Sequence, residues 1–393
     1  MTLPGINQLL AQPGQYLKGK TVGLIVNHTS LTKDNQHSIA HFKSHPSFIL
    51  NALFAPEHGL YGIAQDMIEI ENEIDPISEL NVSSLYGITE ETLEPNLDAL
   101  VEVDNLIFDI QDVGARYYTF IYTMAKCMDI CKKSNTRMII CDRPNPINGI
   151  SLEGNLVKED FQSFVGQYPL PNRHGMTVGE LALFFNHEIN IGCELKVVPM
   201  TNWNREQWYD ETGLPWVPPS PNMPTLDTAV VYPGMCLIEG TQLSEGRGTT
   251  RPFENFGAPY IDPHKLLQRI KKDIDKLPGV IFRPQFFQPM FQKHRGEVCG
   301  GLQIHVTDRS QFKPFLTTLA LLRAIADLYP NDLKWRTEPY EFVSDRLAID
   351  LLYGNTHLRE TIFNDTFSLD EIENGWQEEL NSFKELRNNY LIY

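Results

Sequence analysis

Residues 49–62 read ILNALFAPEHGLYG. An apolar run, Ile49, Leu50, Ala52, Leu53 and Phe54, ends at a proline and then presents Glu57, His58 and Gly59. This is the pattern of a buried parallel strand that hands over to a functional loop. Outward from it the pattern repeats at residues 21–27 (TVGLIVN), 105–110 (NLIFDI), 137–141 (RMIIC) and 194–200 (ELKVVPM). Helical patterns over 38–44, 90–100 and 117–133 lie between those runs, with an acidic loop carrying Glu69, Glu71, Glu73 and Asp75. Strands alternating with helices at this spacing predict βαβ units, a mostly parallel sheet and right-handed crossovers, an α/β fold.

Thr177, with Glu180 three residues on, is a capping box opening a helix over 177–186, which makes Glu180 a cap and not a catalyst. Residues 203–260 then hold three tryptophans, many prolines and glycines, and little periodicity. Long irregular stretches of this kind are usually functional surface. Order returns with a helix over 266–277, strands at 280–282 and 301–306, an apolar helix over 315–329, and a last helix capped by Ser368 with Glu371. We expect a larger unit over 1–247 and a smaller α+β unit over 248–393.

Fifty acidic residues against 33 basic give a net charge of −17 over 393 residues, so nucleic acid and anionic membrane surfaces are excluded as partners. Six cysteines without a CxxC pair read as packed, reduced thiols. The first twenty residues lack a basic region followed by a long apolar core, and no segment has the length to span a bilayer, so a cytoplasmic place is expected.

Four strand ends finish in polar chemistry: Asn27 with His28, Glu57 with His58, Asp109 with Asp112, and Asp142 with Arg143. In an open α/β sheet these should meet in one crevice outside the carboxyl ends of the strands. No GxGxxG, GxxxxGK[ST] or GxSxG motif is present, which leaves dinucleotide, P-loop and hydrolase-elbow chemistry without support. Carboxylates accompanied by Tyr61, Tyr117, Tyr118, Phe120, Trp216 and Tyr232 suit glycoside hydrolysis, where one acid protonates the leaving oxygen and another assists water or attacks the sugar. A metal hydrolase using His28, His58, Asp109 and Asp142 is the rival reading of the same strand ends.

The blocks FAPEHGLYG (54–62), QDVGARYYTFIYTM (111–124), DRPNPING (142–149), RHGMTVGELA (173–182), PSPNMPT (219–225) and YPGMCLIEGTQLSEGRGTTRPFENFGAP (232–259) resemble, in order, the bacterial exo-β-N-acetylmuramidase family. The resemblance implies removal of N-acetylmuramic acid from the non-reducing ends of peptidoglycan fragments. It also implies a Rossmann-like domain and a smaller domain with a cleft between them, and no cofactor. It makes Glu57 the general acid/base, oriented or tuned by His58, with a raised pKa supplied by a pocket closed by Phe54 and Tyr61. For the second carboxylate Asp112 and Glu239 are favoured, ahead of Asp109 and Glu245, and assistance by the acetamido group of the sugar remains open. The lactyl carboxylate of muramic acid calls for a fork-shaped cation, for which Arg116 and Arg247 precede Arg143 and Arg173. Asn27, Asp109, Tyr117, Asn222 and Glu245 complete the expected contacts to a muropeptide-derived sugar. The alternatives are the metal-dependent hydrolase and a non-catalytic muropeptide-binding module.

Overall fold

The structure is a computed structural model that describes residues 1–68, 73–87 and 89–393. Seven strands form one sheet: β1 (Thr21–Val26), β2 (Ile49–Ala55), β3 (Glu73–Ile74), β4 (Asn81–Ser84), β5 (Asn105–Asp109), β6 (Arg137–Cys141) and β7 (Leu195–Val198). Their order is β3-β4-β2-β1-β5-β6-β7, parallel throughout except for β3 against β4. Alternate residues of a strand point to opposite faces. Thus Val22, Leu24 and Val26 join one core with Ile6, Leu9, Ile39 and Phe42, while Ile25 joins the other. Both faces are covered, which is why the strands read as continuous apolar runs rather than alternating ones.

The second core runs from the helices Phe120–Ser134 and Val178–Glu188 into a smaller antiparallel sheet of β8 (Asn255–Ala258), β9 (Val280–Phe287) and β10 (Cys299–Val306). The α/β reading with a second small sheet unit is therefore what the chain adopts.

The capping box is present: Glu180 N donates to the Thr177 hydroxyl at 3.3 Å, and Thr177 N donates to the Glu180 carboxylate at 3.0 Å. The 90–100 pattern resolves instead into two 3₁₀ turns, Glu90–Leu93 and Leu97–Leu100, because Pro95 interrupts it. Within the stretch read as irregular lies the helix Leu226–Met235, hidden in the sequence by Pro233 and Gly234. A Cβ at Gly234 would stand 1.9 Å from the Pro314 carbonyl oxygen, so glycine lets this helix press against the helix Pro314–Leu328. Of the acidic loop, Glu69 and Glu71 lie outside the described residues. Among the described residues no helix is long and apolar enough to cross a membrane.

Candidate active site

The chain runs from β1 to β2 and β4 on one side of the sheet, then returns to β5 on the other. The topological switch, where ligands enter such sheets, is therefore at the carboxyl ends of β1 and β5. Here that place is filled by the protein itself. Asn27 Oδ1 accepts from the backbone N–H and hydroxyl of Thr29 at 2.9 and 2.6 Å, closing its own turn. Arg143 Nε donates to Asp109 Oδ1 at 2.7 Å, both side chains are buried, and Arg143 also donates to the Leu31 carbonyl at 3.0 Å. Asp142 accepts from Gly179 N, the Thr177 hydroxyl and the Tyr393 hydroxyl, each at 2.8 Å, tying the start of helix Val178–Glu188 to the sheet. Burial, then the nearby charge of Glu180, pushes the Asp142 carboxyl up to about 7.

These contacts correct the expectation of one shared crevice. Asn27, Asp109 and Arg143 are spent on the scaffold, and Arg143 borders a different hollow beneath Tyr209, Leu214 and Val217. The quartet named for a metal is likewise dispersed. His28 Nε2 donates to the Pro218 carbonyl at 2.5 Å, His58 Nδ1 to the Ala64 carbonyl at 2.9 Å, and the two aspartates are engaged as above. Among the described residues no group of three or more His, Cys, Asp or Glu is placed to hold a metal ion.

The end of β2 opens elsewhere, into a narrow pocket of about 40 Å³ at the junction of the two units. One wall is lined by Glu57, His58, Asp66, Tyr117, Tyr118, Thr119 and Phe120; Glu239, Arg247, Phe253, Tyr340 and Glu341 complete the lining. The turn after β2 places Glu57 there. His58 and Gly59 both have positive φ, +73° and +78°, and the His58 ring secures the loop by its bond to Ala64. Gly62 (φ +64°) is required, since a Cβ would lie 2.0 Å from the His28 ring.

Glu57 is 6% exposed. Its Oε2 accepts from the Thr119 hydroxyl at 2.9 Å and its Oε1 from Met67 N at 3.2 Å, so the carboxylate plane is fixed. Thr119 is the N-cap residue of helix Phe120–Ser134 but makes no side-chain cap bond, because its hydroxyl goes to Glu57. A local helix-stabilising contact has been given to the site.

Opposite, Arg247 donates to Glu239 Oε1 at 2.7 Å and to Asp66 Oδ1 at 3.0 Å, lies 3.4 Å from Glu245 Oε1, and stacks over Phe253 at 5.1 Å. Tyr340 donates to the other Glu239 oxygen at 2.7 Å. Glu239 is thus doubly bonded and acts as an anchor for Arg247 and Tyr340. Asn222 lines the pocket and donates to Gln65 at 2.8 Å.

Of the sequence-derived residues the pocket brings together Glu57, His58, Tyr117, Asn222, Glu239 and Arg247. Arg116 is not among them: it is fully buried and donates to the carbonyls of Asn155, Leu170, Leu352 and Tyr353, which fastens the two units and leaves no fork for a ligand. Asp112 accepts from Gly114 N at 2.8 Å, beside His174 at 3.6 Å, and is not part of the lining. Glu245 is held by Lys293 at 2.9 Å and borders an adjoining, more open hollow that shares Asp66 and Glu239 with the pocket. Phe54 is core, and Tyr61 donates to Asp75 at 2.8 Å, so the aromatic walls are Tyr117, Tyr118, Phe120, Tyr232, Phe253 and Tyr340 instead. Asp66 and Glu341 lie outside the motif blocks, Thr119 is inside the 111–124 block without a local sign of its role, and only the folded chain assembles the three.

The family model for the N-terminal part of exo-β-N-acetylmuramidase NamZ matches residues 22–227, and that for its C-terminal part matches residues 230–393. The chain belongs to the exo-β-N-acetylmuramidase NamZ family. It is 44% identical over 389 residues to the peptidoglycan β-N-acetylmuramidase NamZ of Bacillus subtilis (strain 168), covering 99% of this chain and 91% of that one. Two crystal structures of DUF1343 family proteins from Bacteroides fragilis NCTC 9343 superpose with TM-scores of 0.87 and 0.78 at 33% and 29% identity. Each match covers 100% of this chain and 99% of the other. The resemblance read from the motif blocks and the α/β reading agree with these matches.

Proposed function

We propose that the protein is an exo-β-N-acetylmuramidase that removes N-acetylmuramic acid from the non-reducing end of peptidoglycan fragments by carboxylate catalysis. The observation that carries this reading is the pocket itself: in a member of this family, Glu57, Asp66, Glu239 and Glu341 converge between aromatic walls at the junction of the two units. Glycoside hydrolysis needs carboxyl groups on either side of the scissile bond and apolar surface to pack the sugar ring, and this pocket offers both. The adjoining hollow, bordered by Met67, Gln242, Gln292 and Arg336, suits the leaving part of the glycan.

In this reading Glu57 is a catalytic carboxylate held in register by Thr119 and Met67 N, and His58 shapes the loop that carries it. Arg247 is the one of the four candidate arginines that reaches the pocket, where Asp66 and Glu239 hold its fork and it balances the carboxylates that face the sugar. Asn222 and Tyr117 contact the sugar. A cytoplasmic place, acting on small muropeptide-derived sugars, goes with six free, buried thiols.

Purified protein, with a chelator present, should release N-acetylmuramic acid from a chromogenic β-N-acetylmuraminide and leave the corresponding glucosaminide intact. Sugar binding without product, or cleavage of both glycosides at equal rates, would contradict the proposal.

A further inference from the structure

The wall of the pocket opposite Glu57 ends in a turn built against local preference. Tyr340 and Val343 exchange both backbone hydrogen bonds, at 2.9 and 3.0 Å, so Glu341 and Phe342 are the central residues of a two-residue hairpin. Both have positive φ, +45° and +69°. That is the type I′ arrangement, which sequences normally fill with Asn-Gly. Each left-handed non-glycine residue costs about 1–2 kcal/mol, and such strain persists only where the surroundings over-determine it, most often at functional sites. Phe342 supplies the anchor, its ring 5.7 Å from that of Tyr86 and 6.0 Å from that of Phe164.

The turn's other product is Glu341. It is 6% exposed and lines the pocket with Glu57, and its Oε2 accepts from the Tyr86 hydroxyl at 3.2 Å. No described residue donates to its Oε1. The groups around it are the carboxyls of Glu57, Glu239 and Asp66 and the hydroxyls of Tyr86 and Tyr340. The Arg247 charge in the same pocket is already taken up by Glu239, Asp66 and Glu245. Burial first, and then the charge of Glu57, raises the Glu341 carboxyl well above the usual range, against the opposing effect of the Tyr86 bond. One pocket thus sets a carboxyl whose charged form burial disfavours beside a second carboxyl fixed by two donors, a pairing that acid and base catalysis can use.

We propose that Glu341 is the proton donor to the leaving group and that Glu57 is the base paired with it, an inference that rests on the glycosidase reading above. As the C1–O bond of the muramyl residue breaks, its electron pair stays on the leaving oxygen, which takes the Glu341 proton. A water oxygen bonds to C1 and gives its proton to Glu57. One proton passing from Glu57 back to Glu341 restores the starting state.

The test compares two leaving groups: N-acetylglucosamine in the muramyl-β-1,4-glucosamine disaccharide, and 4-nitrophenolate, which departs without protonation. Glu341→Gln should lower kcat/KM on the disaccharide by about 10²–10⁴-fold while changing it far less on the nitrophenyl glycoside, and the alkaline limb of the pH profile should vanish. Tyr86→Phe removes a bond that favours the charged form, so it should move that limb to higher pH. Equal losses on both substrates, no loss on either, or an unmoved limb in Tyr86→Phe would overturn the assignment of Glu341 alone. Wild-type protein inert on both substrates would overturn the glycosidase reading and this inference with it.

Discussion

Replacing Glu57 with glutamine keeps the shape of the side chain and removes its charge, so catalysis should collapse while stability changes little. A positioned acid or base contributes about 10²–10⁴ in rate, which is roughly 3–5 kcal/mol of transition-state stabilisation at 1.36 kcal/mol per tenfold. For stability two effects compete. Glu57 accepts bonds from Thr119 and Met67 N, and a glutamine oxygen can keep only one of them. Loss of a hydrogen bond to a charged acceptor costs about 1.5–3 kcal/mol. Against this, Glu57 shares the pocket with Glu239 and Asp66, and removing its charge relieves their mutual repulsion. The two effects oppose each other, so unfolding free energy should change by less than about 1 kcal/mol. Initial rates on the disaccharide, together with urea denaturation of the same preparations, make the assay. Turnover within tenfold of wild type would refute the catalytic assignment. Inactivity accompanied by a loss of several kcal/mol in stability would refute the argument about charge crowding.

Arg247→Met should destabilise the fold by about 3–5 kcal/mol, since it strands Asp66, Glu239 and Glu245 without their cation; denaturant titration measures it, and an unchanged midpoint would contradict it. Thr119→Val removes a donor from Glu57 and should lower kcat about tenfold or more with KM little changed. Steady-state kinetics would show the idea wrong if KM alone rose. Glu153, buried and accepting from Phe315 N and Leu316 N, has its carboxyl pushed up to about 7 by burial. Its folded pKa lies above its unfolded one, so the folded state binds the proton more tightly and stability falls as pH rises from about 4.5 to about 7. Relative to Glu153→Gln, wild type should lose on the order of 3 kcal/mol across that window, read by denaturation at successive pH values; a parallel dependence in the two proteins would contradict the burial argument. Gly62→Ala drives a methyl into the His28 ring and should raise KM and lower the melting temperature; wild-type values for both would show that the loop tolerates the shift.

The sheet was legible because its strands are largely buried on both faces: 21–27, 49–55, 105–110 and 137–141 stand out as mostly apolar runs, and the Thr177–Glu180 box marks a helix start by local chemistry alone. What stayed hidden depended on tertiary contact. The helix Leu226–Met235 tolerates Pro233 and Gly234 because it is packed against the helix Pro314–Leu328, and nothing local announces that. Polar residues close four of these strands, yet the sequence does not distinguish an end that faces a pocket from one spent on the scaffold. Asp109 and Asp142 satisfy Arg143 and a helix terminus, whereas only the end of β2, turned by the left-handed His58–Gly59 pair, presents its carboxylate to the pocket. Glu341 was illegible for another reason. Its position depends on two adjacent left-handed residues that no propensity favours.

The central claim is tested most directly by proton NMR of the purified protein acting on two isomeric disaccharides. One carries N-acetylmuramic acid at the non-reducing end, the other N-acetylglucosamine. Free N-acetylmuramic acid should appear from the first and nothing from the second, with the signal absent for Glu57→Gln. Cleavage of the second disaccharide, or equal cleavage by Glu57→Gln, would contradict the account.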